Sequence, residues 1–114
     1  MIQTTTHDAG ITIVRPGVER LTAANAKTFK DDVSQLIKSG ASHLVIDLGG
    51  VSFVDSSGLG ALVGIYKLIG LRGDLAVSGL QADVAQMFRI CRMDGVFRIF
   101  ASVEQACENL AGAL

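Results

Sequence analysis

The feature that most restricts the fold is a nearly continuous apolar run from Leu44 to Leu48. A run of this kind is typical of a β-strand that other elements cover on both faces. Similar short runs, rich in β-branched and apolar residues, occur at Ile11–Val14, Leu75–Val77 and Val96–Phe100, and we predict an edge strand at Ile2–His7. The chain is therefore expected to contain several short strands, at least one of them in the centre of a sheet.

Segments with helical spacing separate these strands. In residues 23–39 the apolar positions recur every three or four residues, with Thr22 as the predicted N-cap and Gly40 as the end of the helix. Three more helices are predicted, at about residues 58–71, around residues 84–91 and from the capping-box sequence at residues 102–105. This alternation predicts the α/β class: a mixed, mostly parallel β-sheet with about four helices mainly on one side.

Length and composition limit what such a fold can do. The 114 residues suffice for a single domain over residues 1–114, and 49% of them are hydrophobic, which is enough to form a core. Ten Lys and Arg stand against eleven Asp and Glu, and 5% of the residues are aromatic. Nucleic-acid binding needs clustered cations or stacking platforms, so we do not expect a nucleic-acid partner.

Neither secretion nor membrane insertion is predicted. The N-terminal residues lack a basic segment followed by an apolar one, and the longest apolar stretch, residues 59–71, is interrupted by glycines and by Lys67. Cys91 and Cys107 are far apart in the sequence and form no CxxC motif, which suits a reducing compartment. We therefore expect a cytoplasmic protein.

One segment, Asp47–Gly60, stands apart because a buried strand, a turn and a small polar tripeptide follow one another there. Ser57 is the predicted N-cap of the following helix, which leaves Ser56 exposed on the turn just before it. The free N–H groups of a first helical turn favour anions at such a position. The simplest interpretation of Asp-Ser-Ser-Gly is nevertheless a capped turn with no further role.

Three chemical alternatives have weaker support. Gly58, Gly60 and Gly64 match a loose dinucleotide-binding pattern, but no acidic residue follows the next strand at the required distance. A serine hydrolase needs a base, and neither His7, near the terminus, nor His43, at a strand entry, is placed for that role. No carboxylate or histidine pair has the spacing of metal ligands, so we expect no enzymatic activity, metal or cofactor in this chain alone.

The sequence around these serines resembles the STAS family. Residues 54–63, Val-Asp-Ser-Ser-Gly-Leu-Gly-Ala-Leu-Val, are most similar to the stand-alone bacterial anti-sigma factor antagonists. The resemblance extends to residues 21–26, which open the first helix, and to the strand at 44–48. It also includes residues 87–90 and 94–97, in the third helix and the turn after it. It thus covers nearly the whole chain.

The resemblance implies a phosphorylation-controlled binding switch. In the family, the serine directly after the aspartate, here Ser56, is phosphorylated by a partner that is both an anti-sigma factor and a serine kinase. The unphosphorylated antagonist holds that partner and frees a sigma factor, and a PP2C-type phosphatase resets the switch. ATP and Mg²⁺ would belong to the kinase. A STAS regulatory subunit of a larger assembly, such as a stress-sensing complex or a lipid transporter, is the alternative, and in either case we expect a monomer or a weak dimer.

The surface that binds the partner is expected to surround Ser56. It would include Asp55, Ser57, Gly58 and Leu59. Thr22 belongs to the same expected surface, although relatives commonly have Asp at its position. Threonine can still cap a helix, so this departure bears on which partner is recognised and not on the fold.

The helix after Ser56 is apolar on two sides. One face is the predicted core face, and its members are Leu59, Leu62, Val63, Tyr66 and Ile69. Ala61, Ile65 and Leu68 lie on roughly the opposite face. Either neighbouring elements cover this second face as well, or it forms an apolar docking patch in which Ile65 and Leu68 contact the partner.

Overall fold

The computed structural model describes residues 1–7 and 10–112 of the chain. In chain order its elements are β1 (Gln3–His7), β2 (Ile11–Arg15), β3 (Arg20–Leu21), α1 (Ala26–Lys38), β4 (His43–Asp47), β5 (Phe53–Val54), α2 (Ser56–Ile69), β6 (Asp74–Ser78), α3 (Ala82–Ile90), β7 (Arg98–Phe100) and α4 (Val103–Gly112). Short 3₁₀ turns at Gly70–Arg72 and Met93–Gly95 precede β6 and β7.

Five of the strands form one sheet in the order β1-β2-β4-β6-β7. Only the β1–β2 pair is antiparallel; β2, β4, β6 and β7 pair in parallel. Helices α1, α2 and α3 bury their apolar residues in one core on one face of this sheet, whereas α4 packs on the other face. The predicted mixed, mostly parallel sheet with helices mainly on one side is therefore confirmed.

The central strand β4 explains the apolar run from which its position was predicted. Leu44 and Ile46 belong to the larger core, whereas Val45 points into the smaller core under α4. All three side chains are fully buried. A strand between two covered faces has no solvent-facing position to fill with a polar residue, so its sequence does not alternate.

A second, two-stranded sheet was not predicted. In it β3 and β5 pair in parallel, Arg20 with Phe53 and Leu21 with Val54. Two-residue strands are too short to produce a recognisable alternation in sequence. This small sheet brings the turn before α1 beside the loop that leads into α2.

The start of α1 differs from the prediction. The helix begins at Ala26, and Thr22 is not its N-cap, because residues 22–25 form a separate turn. Within that turn the Thr22 hydroxyl accepts a hydrogen bond from the Ala24 N–H at 3.3 Å. The Asn25 side chain accepts from the Thr22 N–H and donates to the carbonyl of Arg20, so Asn25 ties the turn to β3.

The orientation of α2 also corrects the sequence analysis. Ile65 is 0% exposed and Ala61 is buried, so the expectation that Ile65 faces solvent and contacts a partner is wrong. Tyr66, predicted in the core, is 41% exposed and rests edge-on against Phe97. The helix is covered on two sides, since α1 packs beside it and the sheet lies beneath, and a wide arc of its surface is therefore apolar.

Candidate functional site

The loop before α2 is organised by the carboxylate of Asp55, not by Ser57 as predicted. Asp55 is the N-cap residue, and its Oδ1 accepts a hydrogen bond from the Gly58 N–H at 2.8 Å. Its Oδ2 accepts from the Ala23 N–H at 3.1 Å. One carboxylate therefore holds the first turn of α2 and the turn before α1 together.

These backbone donors also keep Asp55 ionised. The hydrogen bond from the Gly58 N–H, with a further one from Ala23, holds the pKa of the Asp55 carboxyl below its ordinary value of 3.8. Donors that bind the charged form of a carboxyl favour that form. A fixed negative charge thus stands directly before the two serines at neutral pH.

Both serines are accessible. Ser56 is the first residue of α2 and Ser57 the second, and both are exposed. The prediction placed Ser56 just before the N-cap Ser57, whereas the helix begins two residues earlier than predicted and Ser56 is its first residue; the exposure of Ser56 is as expected. Within the described residues, neither hydroxyl makes a hydrogen bond. The structure therefore leaves both hydroxyls unused by the fold.

Gly58 is required by a close approach of two backbone segments. A Cβ atom at this position would lie 2.3 Å from the carbonyl oxygen of Leu21 and 2.9 Å from Cγ1 of Val54. The same carbonyl of Leu21 accepts a hydrogen bond from the Asp55 N–H at 3.2 Å. The first turn of α2 is thus seated directly on β3, and any side chain at Gly58 would push it away.

The expected partner surface is only partly assembled at this loop. Thr22, Asp55, Ser56 and Ser57 come together there, because Asp55 bonds the residue that follows Thr22. Gly58 and Leu59 are buried, so the expectation that the Leu59 side chain contacts a partner is wrong. Both residues lie on the buried side of the first turn of α2, directly after the two exposed serines.

Leu68 is separate from this loop. It follows Ser56 by 12 residues, about 18 Å along the axis of α2 at the usual helical rise. Half-buried, it lies in an open groove between α1 and α2 whose other lining residues are Lys30, Ser34, Lys38, Gly64 and Lys67. Its expected role in partner binding stays a prediction.

Both histidines lie away from the serines. His43 begins β4 and His7 pairs with the first residue of β2, so both lie at the amino-terminal end of the parallel strands, whereas the serines follow the carboxyl end of β4 in the chain. The Nδ1 atom of His43 lies 2.9 Å from the hydroxyl oxygen of Ser42, and its Nε2 atom lies 3.8 Å from Oδ2 of Asp74. Among residues 1–7 and 10–112, no three His, Cys, Asp or Glu side chains are grouped as metal ligands. The loop presents two exposed hydroxyls, those of Ser56 and Ser57, directly after the ionised carboxylate of Asp55.

The whole chain is similar to known proteins. The family model of the STAS domain matches residues 2–106. The Anti-sigma F factor antagonist of Paenibacillus polymyxa is 33% identical over 96 residues, which cover 82% of this chain and 78% of that protein.

Many solved structures share the fold. An anti-sigma factor antagonist from Mycobacterium paratuberculosis aligns with a TM-score of 0.86 at 21% identity, over 96% of this chain and 92% of that one. The phosphorylated form of the Bacillus cell fate determinant SpoIIAA aligns with a TM-score of 0.71 at 19% identity, over 96% and 98% of the two chains. Within the described residues, no helix has both the length and the apolar character needed to cross a bilayer.

Proposed function

The chain belongs to the STAS domain family, and from that premise we propose that it is an anti-sigma factor antagonist whose binding is switched by phosphorylation of Ser56. In this proposal the unphosphorylated chain binds an anti-sigma factor that is also a serine kinase, and a sigma factor is thereby released. The kinase supplies ATP and Mg²⁺, a PP2C-type phosphatase removes the phosphate, and the exchange takes place in the cytoplasm. The chain itself catalyses no reaction.

The observation that carries the proposal is the exposed Ser56 hydroxyl at the first position of α2, on a loop that Asp55 already holds. Phosphorylation would add about −1.5 to −2 charge and three acceptor oxygens next to that ionised carboxylate. The positive end of the helix dipole tolerates an anion at this place. A phosphate on Ser56 would therefore change the charge of the surface that meets the partner while the fold persists.

The choice of Ser56 over Ser57 rests on the family resemblance. Because Asp55 is the N-cap, Ser57 is not withdrawn into a capping hydrogen bond, and accessibility alone does not separate the two serines. In the family, the modified serine directly follows the aspartate, and that position is Ser56. The phosphorylated SpoIIAA structure supports the proposal in that the fold of that relative persists in a phosphorylated form.

Phosphate mapping tests the proposal. Immobilised wild-type chain is used to retain its partner from an extract of the source organism, and the retained kinase is purified and incubated with the chain and ATP. We expect phosphate on Ser56, no incorporation into Ser56→Ala, and normal incorporation into the matched control Ser57→Ala. Phosphate found chiefly on Ser57 would overturn the assignment. Retention of transporter or stress-complex subunits in place of a kinase would favour the alternative of a STAS regulatory subunit.

Binding measurements test the direction of the switch. Ser56→Ala is expected to bind the kinase as the unphosphorylated chain does, whereas Ser56→Asp places a negative charge at the position of the phosphate and is expected to bind more weakly. Should Ser56→Ala fold normally and fail to bind, the hydroxyl would be a direct contact and the argument from charge would fall.

A further inference from the structure

The most exposed apolar side chain near the Ser56 loop is on α3. Ile90, the last residue of that helix, is 69% exposed. It borders a groove of about 300 Å³ between β5 and α3, which we call the β5–α3 groove. The lining residues are Phe53, Val54, Asp83, Gln86, Met87 and Ile90.

We propose that the β5–α3 groove receives an apolar side chain of the anti-sigma kinase and so anchors that partner beside Ser56. The inference rests on the proposed function and assigns to the partner a contact surface that the serine loop alone does not provide.

Proximity to Ser56 is the first reason. Phe53 precedes Ser56 by three residues, so their Cα atoms are at most about 11 Å apart even in a fully extended chain. A protein interface of standard size buries about 800 Å² on each partner, a patch about 30 Å across. A contact area of this size that is centred on Ser56 therefore extends far enough to include Phe53.

The residue types in and beside the groove are the second reason. Aromatic residues, Met and Arg are enriched in protein interfaces, where fully enclosed apolar anchors contribute most of the binding energy. Here Phe53 and Met87 are half-buried and Ile90 is exposed. The Arg20 guanidinium covers one face of the Phe53 ring, with its central carbon 4.2 Å from the ring centroid.

Two charged side chains, one lining the groove and one beside it, specify the partner further. Arg20 stands beside Phe53, and Asp83 lies in the first turn of α3. Within residues 1–7 and 10–112, neither side chain has an oppositely charged group within ion-pair distance. The complementary segment of the partner therefore carries an apolar anchor, with an acidic side chain toward Arg20 and a basic one toward Asp83.

One substitution at two positions tests the groove. Ile90→Lys removes the apolar edge of the groove, whereas Leu71→Lys makes the same change at a fully exposed position beyond the far end of α2. The kinase retained by the wild-type chain is purified and titrated with each variant, and each variant is also melted thermally. We expect unchanged melting for both, at least about a tenfold loss of affinity for Ile90→Lys, and a change within about twofold for Leu71→Lys.

A second variant tests the groove if Ile90→Lys has a lowered melting temperature. Asp83→Lys reverses an exposed charge at the rim of the groove and is expected to weaken the same complex, more strongly at low salt than at high salt. Unchanged affinity of a folded Asp83→Lys chain at low salt would then overturn the charge assignment on which the identity of the occupant depends.

The outcomes separate the groove from the proposed function. If the kinase binds Ile90→Lys as tightly as wild type while Ser56→Asp loses it, the groove is overturned and the switch stands. If Ile90→Lys loses a bound protein that is not a kinase, the proposed function is overturned and a docking role for the groove stands. Equal losses in Leu71→Lys, no binding protein at all, or a wild-type dimer that Ile90→Lys dissociates would each overturn the inference.

Discussion

Helices α2 and α3 both adjoin the loop that presents Ser56, and they differ in how many of their apolar side chains are buried. Five of the eight apolar residues of α2 are buried and Tyr66 alone among them is exposed, because α1 lies beside the helix and the sheet lies beneath it. α3 directs Val84 and Phe88 into the core and leaves Ile90 exposed at its end. The comparison teaches that the number of neighbours that cover a helix, and not its apolar content, decides which of its apolar side chains stay exposed.

The largest expected effect tests the burial of α2. Ile65→Lys places an ammonium in a fully buried position without a partner, and we expect a loss of at least about 3 kcal/mol in the free energy of unfolding. The matched variant is Ile90→Lys on α3, for which urea unfolding should give a change within about 0.5 kcal/mol. Similar small changes at both positions would show that α2 is not enclosed, and the comparison would fail.

The next effect tests how α2 is seated at its first turn. Gly58→Ala introduces a Cβ that meets the Leu21 carbonyl, and we expect a loss of about 1–3 kcal/mol in urea unfolding. Gly60→Ala is the control on the same helix, because a Cβ there meets nothing within 4 Å. Replacing a helical glycine by alanine at an open position stabilises by up to about 1 kcal/mol. The two substitutions are therefore expected to change the free energy of unfolding in opposite directions. A Gly58→Ala chain as stable as wild type would contradict the close contact with β3.

These two glycines illustrate what was predictable from the sequence. The chain order of the four helices and of the strands in the five-stranded sheet, and the covered faces of β4, followed from apolar runs and periodicity. The exposure of Ser56 was predicted correctly, but from Ser57 as the N-cap, a position that Asp55 occupies in the structure. The difference between Gly58 and Gly60 did not, since it depends on the backbone of β3, which is distant in sequence and only two residues long. For the same reason Ile65 was placed on the wrong side: a helical wheel shows which residues share a face but not how many neighbours the helix has.

The role of Asp55 as the N-cap of α2 could have been predicted from the sequence, but Ser57 was chosen in its place. Asp and Ser are both good N-caps, and Asp55 precedes the helix by one residue, whereas Ser57 lies inside it. The second bond of Asp55, to the Ala23 N–H, has no local signal, because it joins residues 32 positions apart. The part of the site that depends on long-range contacts therefore required the structure.

A smaller effect, on acid sensitivity, tests the double role of Asp55. Its pKa is lowered in the folded chain by the Gly58 N–H, so its contribution to stability is complete above the ordinary value of 3.8 and is lost as the pH falls below it. Urea midpoints measured from about pH 6 down to about pH 3 should fall less steeply for Asp55→Asn than for wild type.

Two variants separate the contribution of Asp55 as an N-cap from the contribution of its negative charge. Asparagine is also a good N-cap, so Asp55→Asn should keep most of the stability at neutral pH, whereas Asp55→Ala should lower the urea midpoint there, by less than Gly58→Ala does. If wild type and Asp55→Asn lose stability in parallel as the pH falls, Asp55 is not ionised and bonded as described.

The most direct test of the account compares folding and binding in one chain, unphosphorylated and phosphorylated on Ser56. Both forms are unfolded in urea and titrated with the purified kinase under the same conditions. Because Ser56 is exposed at the start of α2 and its hydroxyl bonds nothing in the described fold, the free energy of unfolding should change by less than about 1 kcal/mol. Charge repulsion at the interface should lower the affinity at least about tenfold. If phosphorylation lowers the free energy of unfolding and the affinity together, or if it leaves the affinity unchanged, the claim that phosphorylation of Ser56 alters the surface and not the fold is contradicted.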